Sequence, residues 1–243
     1  MHAEVKLKGT NAALPNARRG LPRWVEASAA LVGLVLASPI IALAGLGTVL
    51  SSGRPIFFRQ KRVGQHGDTF DLHKLRTMRN SVGGPQITSN GDSRITRLGR
   101  FLRHTKLDEL PTLWNVVRGD MSLVGPRPEV PRFVQLADPL WQRILAVRPG
   151  ITDPVTLHLR SESELLAQVA GDTEEYYAKE LQPAKLRGYV VYLEERTWRS
   201  DLKVLLQTFA AVVAPGETGR LSVDEFRHLL QSKGQFRGPN ATK

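Results

Sequence analysis

The chain contains no cysteine. Disulfides, thiolate nucleophiles and cysteine-ligated zinc are therefore excluded, and a reducing compartment suits it. Aromatic residues are scarce, at 7%, which is thin for a surface that grips single-stranded nucleic acid by stacking. The six histidines show no H-E-x-x-H or comparable metal spacing. Two local absences say more. No charge occurs from Ala27 to Gly53, and no acid from Ser93 to Leu107.

The net charge of +11 is carried by one part of the chain. Residues 1–150 hold 22 Lys/Arg against 10 Asp/Glu, a net +12, whereas residues 151–243 hold 12 against 13, a net −1. The first part is thus the anion-binding part, whether the anion is a nucleotide, a lipid headgroup or nucleic acid. Within it, Arg94, Arg97, Arg100, Arg103 and Lys106 run unopposed until the adjacent acids Asp108 and Glu109.

Residues 1–23 read as a polar N-terminal tail, and residues 24–53 as a membrane segment, since about 20 apolar residues suffice to span a bilayer as a helix. Ser38-Pro39 sits near its middle, where proline removes a backbone donor and kinks a helix. Basic residues flank both ends: Arg18, Arg19 and Arg23 before, Arg54, Arg59, Lys61 and Arg62 after. A straight span normally has one richer flank. A re-entrant helix–break–helix is the expectation, with a straight span and a buried soluble helix as alternatives. Residues 54–215 would then form the catalytic domain and residues 216–243 a C-terminal tail.

Two strands around Q-H-G-D (65–68) are predicted, then a Gly/Ser/Asn-rich loop over 80–93. Residues 94–106 suggest an amphipathic helix at a membrane interface, with Ile95, Leu98, Phe101 and Leu102 on one face. Helices are further predicted over 133–147, 162–170, 174–196 and 201–214, the last a short core or interfacial helix. The fold class is α+β and mostly helical.

Leu107-Asp108-Glu109-Leu110-Pro111 reads as a helix start, because proline is tolerated only in the first turn. Free N–H groups there favour negative charge and receive phosphate. The bland alternative is that Asp108 is an N-cap and Glu109 a first-turn acid. Against it stand the five basic residues and the stiff turn G-P-R-P (125–128), which carries Arg127. A carboxylate attacking a phosphoanhydride is an accepted form of covalent catalysis, given cations or a metal to offset repulsion. Adjacent residues on a helix point about 100° apart, a poor match for a glycosidase pair.

R-P-I-F-F-R-Q-K-R-V-G (54–64), F-D-L-H-K-L-R-T-M (70–78), the long block from Arg94 to Pro128 and V-R-P-G-I-T (147–152) resemble the bacterial sugar transferases. These are monotopic polyprenol-phosphate phosphoglycosyl transferases, and the likeness is to their small single-domain type. The resemblance implies an enzyme of the bacterial inner membrane whose catalytic domain faces the cytoplasm. It implies that Asp108 attacks the β-phosphate of a UDP-sugar, releases UMP and holds the phosphosugar. Polyprenol phosphate, of undecaprenyl length, then takes it as polyprenol diphosphate-sugar, the first membrane step of exopolysaccharide or O-antigen assembly. It further implies that Glu109 coordinates Mg²⁺, that Lys74, Arg76, Arg103, Arg127 and Arg148 hold phosphates, and that Ser38-Pro39 breaks the membrane helix. Nucleic acid is not an expected partner, and self-association is left open. Many members continue R-P-G-I-T with G-W-A-Q-V-N-G, but here Asp153-Pro154 follows, so a sugar preference set there is open. The alternative is a basic membrane-surface scaffold without catalysis.

Overall fold

A computed structural model of the protein describes residues 20–79, 92–159, 162–167, 169, 172–213 and the single positions 225 and 228. The expected loop over 80–93 and both tails lie almost wholly outside the described residues.

Helix α1 runs from Arg23 to Ser52 with Pro39 inside it. Its 30 residues make it about 45 Å long at about 1.5 Å per residue. The expected break at Ser38-Pro39 is not seen, and one helix continues through it. The local chemistry explains how. Proline cannot donate to the carbonyl four residues back, which is that of Val35. The Ser38 hydroxyl donates to that same Val35 oxygen at 2.7 Å, so the freed acceptor is satisfied within the helix.

One face of α1 is buried along its whole length, through Glu26, Ala30, Ala37, Gly45 and Thr48. Gly33 lies beside Leu113, and Gly47 lies close against Leu98. The opposite face presents Leu31, Val35, Leu36, Leu43, Leu46 and Leu50. The helix is long and apolar enough to cross a bilayer, and its outward face is mostly aliphatic.

Strands β1 (Phe57–Val63) and β2 (Thr69–Leu75) pair antiparallel, with Phe57 opposite Leu75 and Val63 opposite Thr69. The predicted hairpin is therefore present. Helix α2 spans Arg97–His104, shorter than the periodicity suggests. Ile95 is not part of it but bridges Met78, and the Thr96 hydroxyl caps it by accepting from Gly99 N at 2.8 Å. Leu102 is buried and Phe101 exposed.

A 3₁₀ turn, Leu107–Thr112, leads into α3, Leu113–Arg118, closed by Gly119 in the left-handed region. Two short strands, β3 (Ser122–Val124) and β4 (Gly150–Thr152), pair in parallel. They come so close that a Cβ at Gly150 would lie 2.1 Å from Gly125 N, which only glycine allows.

The predicted helix over 133–147 shrinks to α4, Pro139–Ile144, preceded by a 3₁₀ turn at Pro131–Phe133. Asp138 caps α4, accepting from Leu140 N at 2.7 Å, and Pro139 starts a helix instead of continuing one. Helices α5 (Pro154–His158) and α6 (Glu162–Ala167) follow. Helix α7 (Thr173–Tyr176) passes through a π turn, Tyr177–Leu181, into α8, Gln182–Glu195. Helix α9 spans Trp198–Val213. Helices α4 and α8 share the main core of Trp141, Ile144, Leu145, Leu181, Tyr189 and Val190. On α9, Trp198, Leu202, Leu206, Phe209 and Val213 form an exposed apolar stripe.

Candidate active site

The site forms where β2, the 3₁₀ turn 107–112 and the segment after β3 meet. Lys106 adopts φ 59°, unusual for a non-glycine residue, and turns the chain sharply from α2 into the acidic pair. Proline at 111 then fixes the turn. Thr112 ties it to β2 by donating to His73 O at 3.0 Å. Asn115, fully buried, completes that joint by donating to Asp71 O at 2.8 Å and accepting from His73 N at 3.1 Å.

The two acids go to different surroundings. Glu109 Oε1 accepts from Lys74 Nζ at 2.7 Å and from Arg127 Nη2 at 2.6 Å. Burial alone would raise the Glu109 pKa, but Arg127, Lys74 and Lys106 hold it well below the usual glutamate value. Lys74 is pushed down by burial and drawn back up by Glu109. Arg127 is held up chiefly by Glu109.

Asp108 is 7% exposed. Its Oδ1 is buried without a hydrogen-bond partner among the described residues. Burial, and then the charge of Glu109, raise its pKa above the ordinary aspartate value, against the pull of Lys74, Lys106 and Arg103. The cap reading of Asp108 is not what the geometry shows, since the turn carries no side-chain capping hydrogen bond. A buried carboxylate oxygen left without a partner is costly. It is also more basic than a solvated one, and thus better suited to attack an electrophile.

A shallow cleft opens on Glu109 and its two cations, lined by Arg62, Lys74, Glu109, Thr112, Arg127 and Gly150 among others. Arg103 donates to Thr77 Oγ1 at 2.8 Å and interacts electrostatically with Asp108. Arg62 was within reach of sequence reasoning, because it lies in the F-F-R-Q-K-R-V-G strand. It donates to Pro128 O at 3.0 Å and pairs with Glu129 at 3.4 Å.

The structure brings together Lys74, Arg103, Asp108, Glu109 and Arg127 but places two other expected residues elsewhere. Arg76 donates to Ser52 O at 2.8 Å and Arg54 O at 3.2 Å, and also to Gly53 O. It thus caps the end of α1, where helix carbonyls lack partners. Arg148 donates to Gly119 O at 3.0 Å and serves the end of α3 in the same way. Both arginines sit in basic stretches that look alike in sequence, and only the fold separates the tethers from the cluster.

The donor set suits magnesium. A hard divalent cation takes oxygen ligands, one or two of them carboxylates where it also meets phosphates. Glu109 and the orphaned Asp108 oxygen supply adjacent carboxylates of that kind. Among the described residues no group of three or more His, Cys, Asp or Glu gathers as a self-sufficient metal cage.

Comparison with known proteins assigns the chain to a family. Residues 17–215 match the family model described as bacterial sugar transferase. A UDP-glucose:undecaprenyl-phosphate glucose-1-phosphate transferase of Caulobacter vibrioides is 36% identical over 196 residues, covering 79% of this chain and 69% of that protein. The uncharacterized sugar transferase EpsL of Bacillus subtilis is 33% identical over 209 residues, covering 85% of this chain and 95% of EpsL. An Escherichia coli UDP-glucose:undecaprenyl-phosphate glucose-1-phosphate transferase is 34% identical over 202 residues, 80% of this chain, but only 40% of its own length is matched. The chain is an enzyme of the transferase class, and it belongs to the bacterial sugar transferase family.

Proposed function

We propose that this enzyme transfers a sugar phosphate from a UDP-sugar to undecaprenyl phosphate through a covalent phosphosugar on Asp108. The observation that carries the reading is the contrast within the acidic pair. Glu109 is locked as an anion by Lys74 and Arg127, whereas Asp108 is buried, unpartnered and more basic.

In the first half-reaction an Asp108 oxygen bonds to the β-phosphorus of the donor and the bond to the bridging oxygen breaks, with UMP as the leaving group. Arg127, Lys74 and Arg103 neutralise the diphosphate and the charge that develops on it. Magnesium, held by Glu109, would further offset repulsion between carboxylate and phosphates. In the second half-reaction a phosphate oxygen of undecaprenyl phosphate bonds to the same phosphorus, and Asp108 leaves as a carboxylate. The product is undecaprenyl diphosphate-sugar.

The length of α1 and its exposed apolar face support association with a membrane. We read α1 as an unbroken helix lying along the domain at the membrane surface, with the catalytic domain on the cytoplasmic side. Support comes from contacts at both ends of the helix with one body: Leu123 at the start, through Glu26, and Leu98 near the end, against Gly47. A simple crossing would carry one end away from that body. The apolar stripe of α9 gives a second surface of the same kind.

A screen for UMP release over a panel of UDP-sugars, with undecaprenyl phosphate and Mg²⁺, tests the reading. Release with one donor or a few is expected, and release with none would favour a non-catalytic membrane scaffold.

A further inference from the structure

The chain between Glu109 and Arg127 is a closed loop, 18 residues from end to end, shut by the ion pair at 2.6 Å. It contains α3, the Gly119 turn and β3. The loop has hydrogen bonds of its own, centred on Asn115, and it is also held from outside by the first turn of α1.

Arg23 and Glu26 are three residues apart and so share one face of α1. Arg23 donates to Val117 O at 3.2 Å and Met121 O at 3.5 Å, and also to Val116 O. It thereby braces the end of α3 and the chain just beyond it, where the Val116 carbonyl also accepts from Gly119 N at 3.1 Å. One turn on, Glu26 Oε1 accepts from Leu123 N at 3.0 Å. Glu26 is only 3% exposed, which is rarely true of a glutamate unless it serves a partner. A cation thus grips the segment descending from the acidic pair, and an anion grips the segment ascending to Arg127.

A second tie holds the same strand from behind. Arg196 donates to Val124 O and to Asp201 Oδ2, each at 2.9 Å. Asp201 Oδ2 in turn accepts from Leu21 N at 3.2 Å, just before α1 begins. The backbone N–H of Leu123 and the carbonyl of Val124 are thus both held by groups attached to the start of the membrane helix. Beyond Val124 only Gly125 and Pro126 separate this anchor from Arg127, and proline leaves little slack.

We propose that Glu26 is a positioning residue for the phosphate site: by accepting the Leu123 N–H it sets where β3 delivers Arg127 relative to Asp108 and Glu109. The start of α1 is therefore both a membrane anchor and the clamp of the catalytic loop. How α1 seats in the bilayer is transmitted toward Arg127 through the Glu26–Leu123 hydrogen bond, beside the ties made by Arg23 and Arg196. This rests on the phosphoglycosyl transfer proposed above.

The test compares Glu26→Ala with Glu26→Gln in the full-length protein in one membrane mimetic. Glutamine keeps a carbonyl oxygen for Leu123 N–H, and alanine does not. For Glu26→Ala, kcat per folded protein is expected to fall on the order of tenfold to a hundredfold, with Glu26→Gln restoring most of it. Hydrogen exchange should speed up across 123–127 and in the turn 107–112 for Glu26→Ala only. A role in general stability alone would lower the folded fraction of both variants and leave kcat per folded protein unchanged. That result, or faster exchange confined to Leu123, overturns the proposal. If the unsubstituted protein releases UMP from no donor, the transfer reading falls and the exchange comparison alone decides the positioning role.

Discussion

Arg127 reaches Glu109 at 2.6 Å and meets there the same carboxylate oxygen that Lys74 reaches at 2.7 Å. Two cations on one oxygen leave Glu109 no ordinary range in which to protonate. The adjacent Asp108 has no such partner on its buried Oδ1 among the described residues. Two neighbouring carboxylates thus acquire opposite characters from their surroundings, the pattern by which titratable pairs divide roles.

Replacing Asp108 by Asn should abolish UMP release and raise the melting temperature. The folded state disfavours the charged form of Asp108, so at neutral pH this group costs stability, on the order of 1 kcal/mol. Its neutral isostere removes both the buried charge and its repulsion with Glu109. The gain over the unsubstituted protein should shrink as pH falls through the raised Asp108 pKa, where the native carboxyl becomes neutral too. Thermal melts at several pH values read this directly. A destabilised Asp108→Asn protein would contradict the account.

Glu109 should behave in the opposite sense. Its pKa is depressed in the folded state, so its contribution is present above the ordinary glutamate pKa of about 4.3 and is lost as pH falls below it. Lys74→Met removes one of two partners and should lower stability by up to about 3 kcal/mol, because a buried charge loses half its compensation. Combining it with Glu109→Gln should cost less than the sum of the two. A double-mutant cycle with no coupling would show that the pair contributes nothing.

Gly99→Ala should be among the most damaging single-methyl changes. A Cβ there would lie 2.0 Å from Thr77 O and within 3 Å of two further Thr77 backbone atoms. Backbone cannot step aside, so α2 must lift and carry Arg103 away from Thr77 and the acidic pair. The expected outcome is loss of both stability and UMP release, read by melting and assay of the purified variant.

Tyr189→Phe isolates a buried hydroxyl that has no hydrogen-bond partner among the described residues. Deleting it should leave the fold as stable or raise stability by about 1 kcal/mol, since an unsatisfied polar group is removed. Denaturant midpoints at equal slope test this.

Much of this was legible in the sequence, for reasons that differ by element. The β1–β2 hairpin shows because alternation and the Q-H-G-D turn are local signals. The acidic pair shows because an uncompensated basic run ends there. The carbonyl partners of Arg76 and Arg148 at the ends of α1 and α3 were not legible, because a helix end has no charge signature. Strands β3 and β4, three residues each, are too short for any periodicity, yet their pairing aims Arg127. The continuous α1 departs from the expected break because Ser38 satisfies the acceptor that Pro39 abandons, a repair that a hydropathy pattern does not contain. Glu26 reads as a mere flank until Leu123, 97 residues away, arrives beside it.

Covalent capture by Asp108 is the central claim, and intact-protein mass spectrometry after incubation with an accepted UDP-sugar and Mg²⁺, without undecaprenyl phosphate, addresses it most directly. The account predicts a mass increase equal to one sugar phosphate, mapped to Asp108, absent from Asp108→Asn and discharged on adding undecaprenyl phosphate. UMP formation with no adduct, or an adduct that persists in Asp108→Asn, would contradict it.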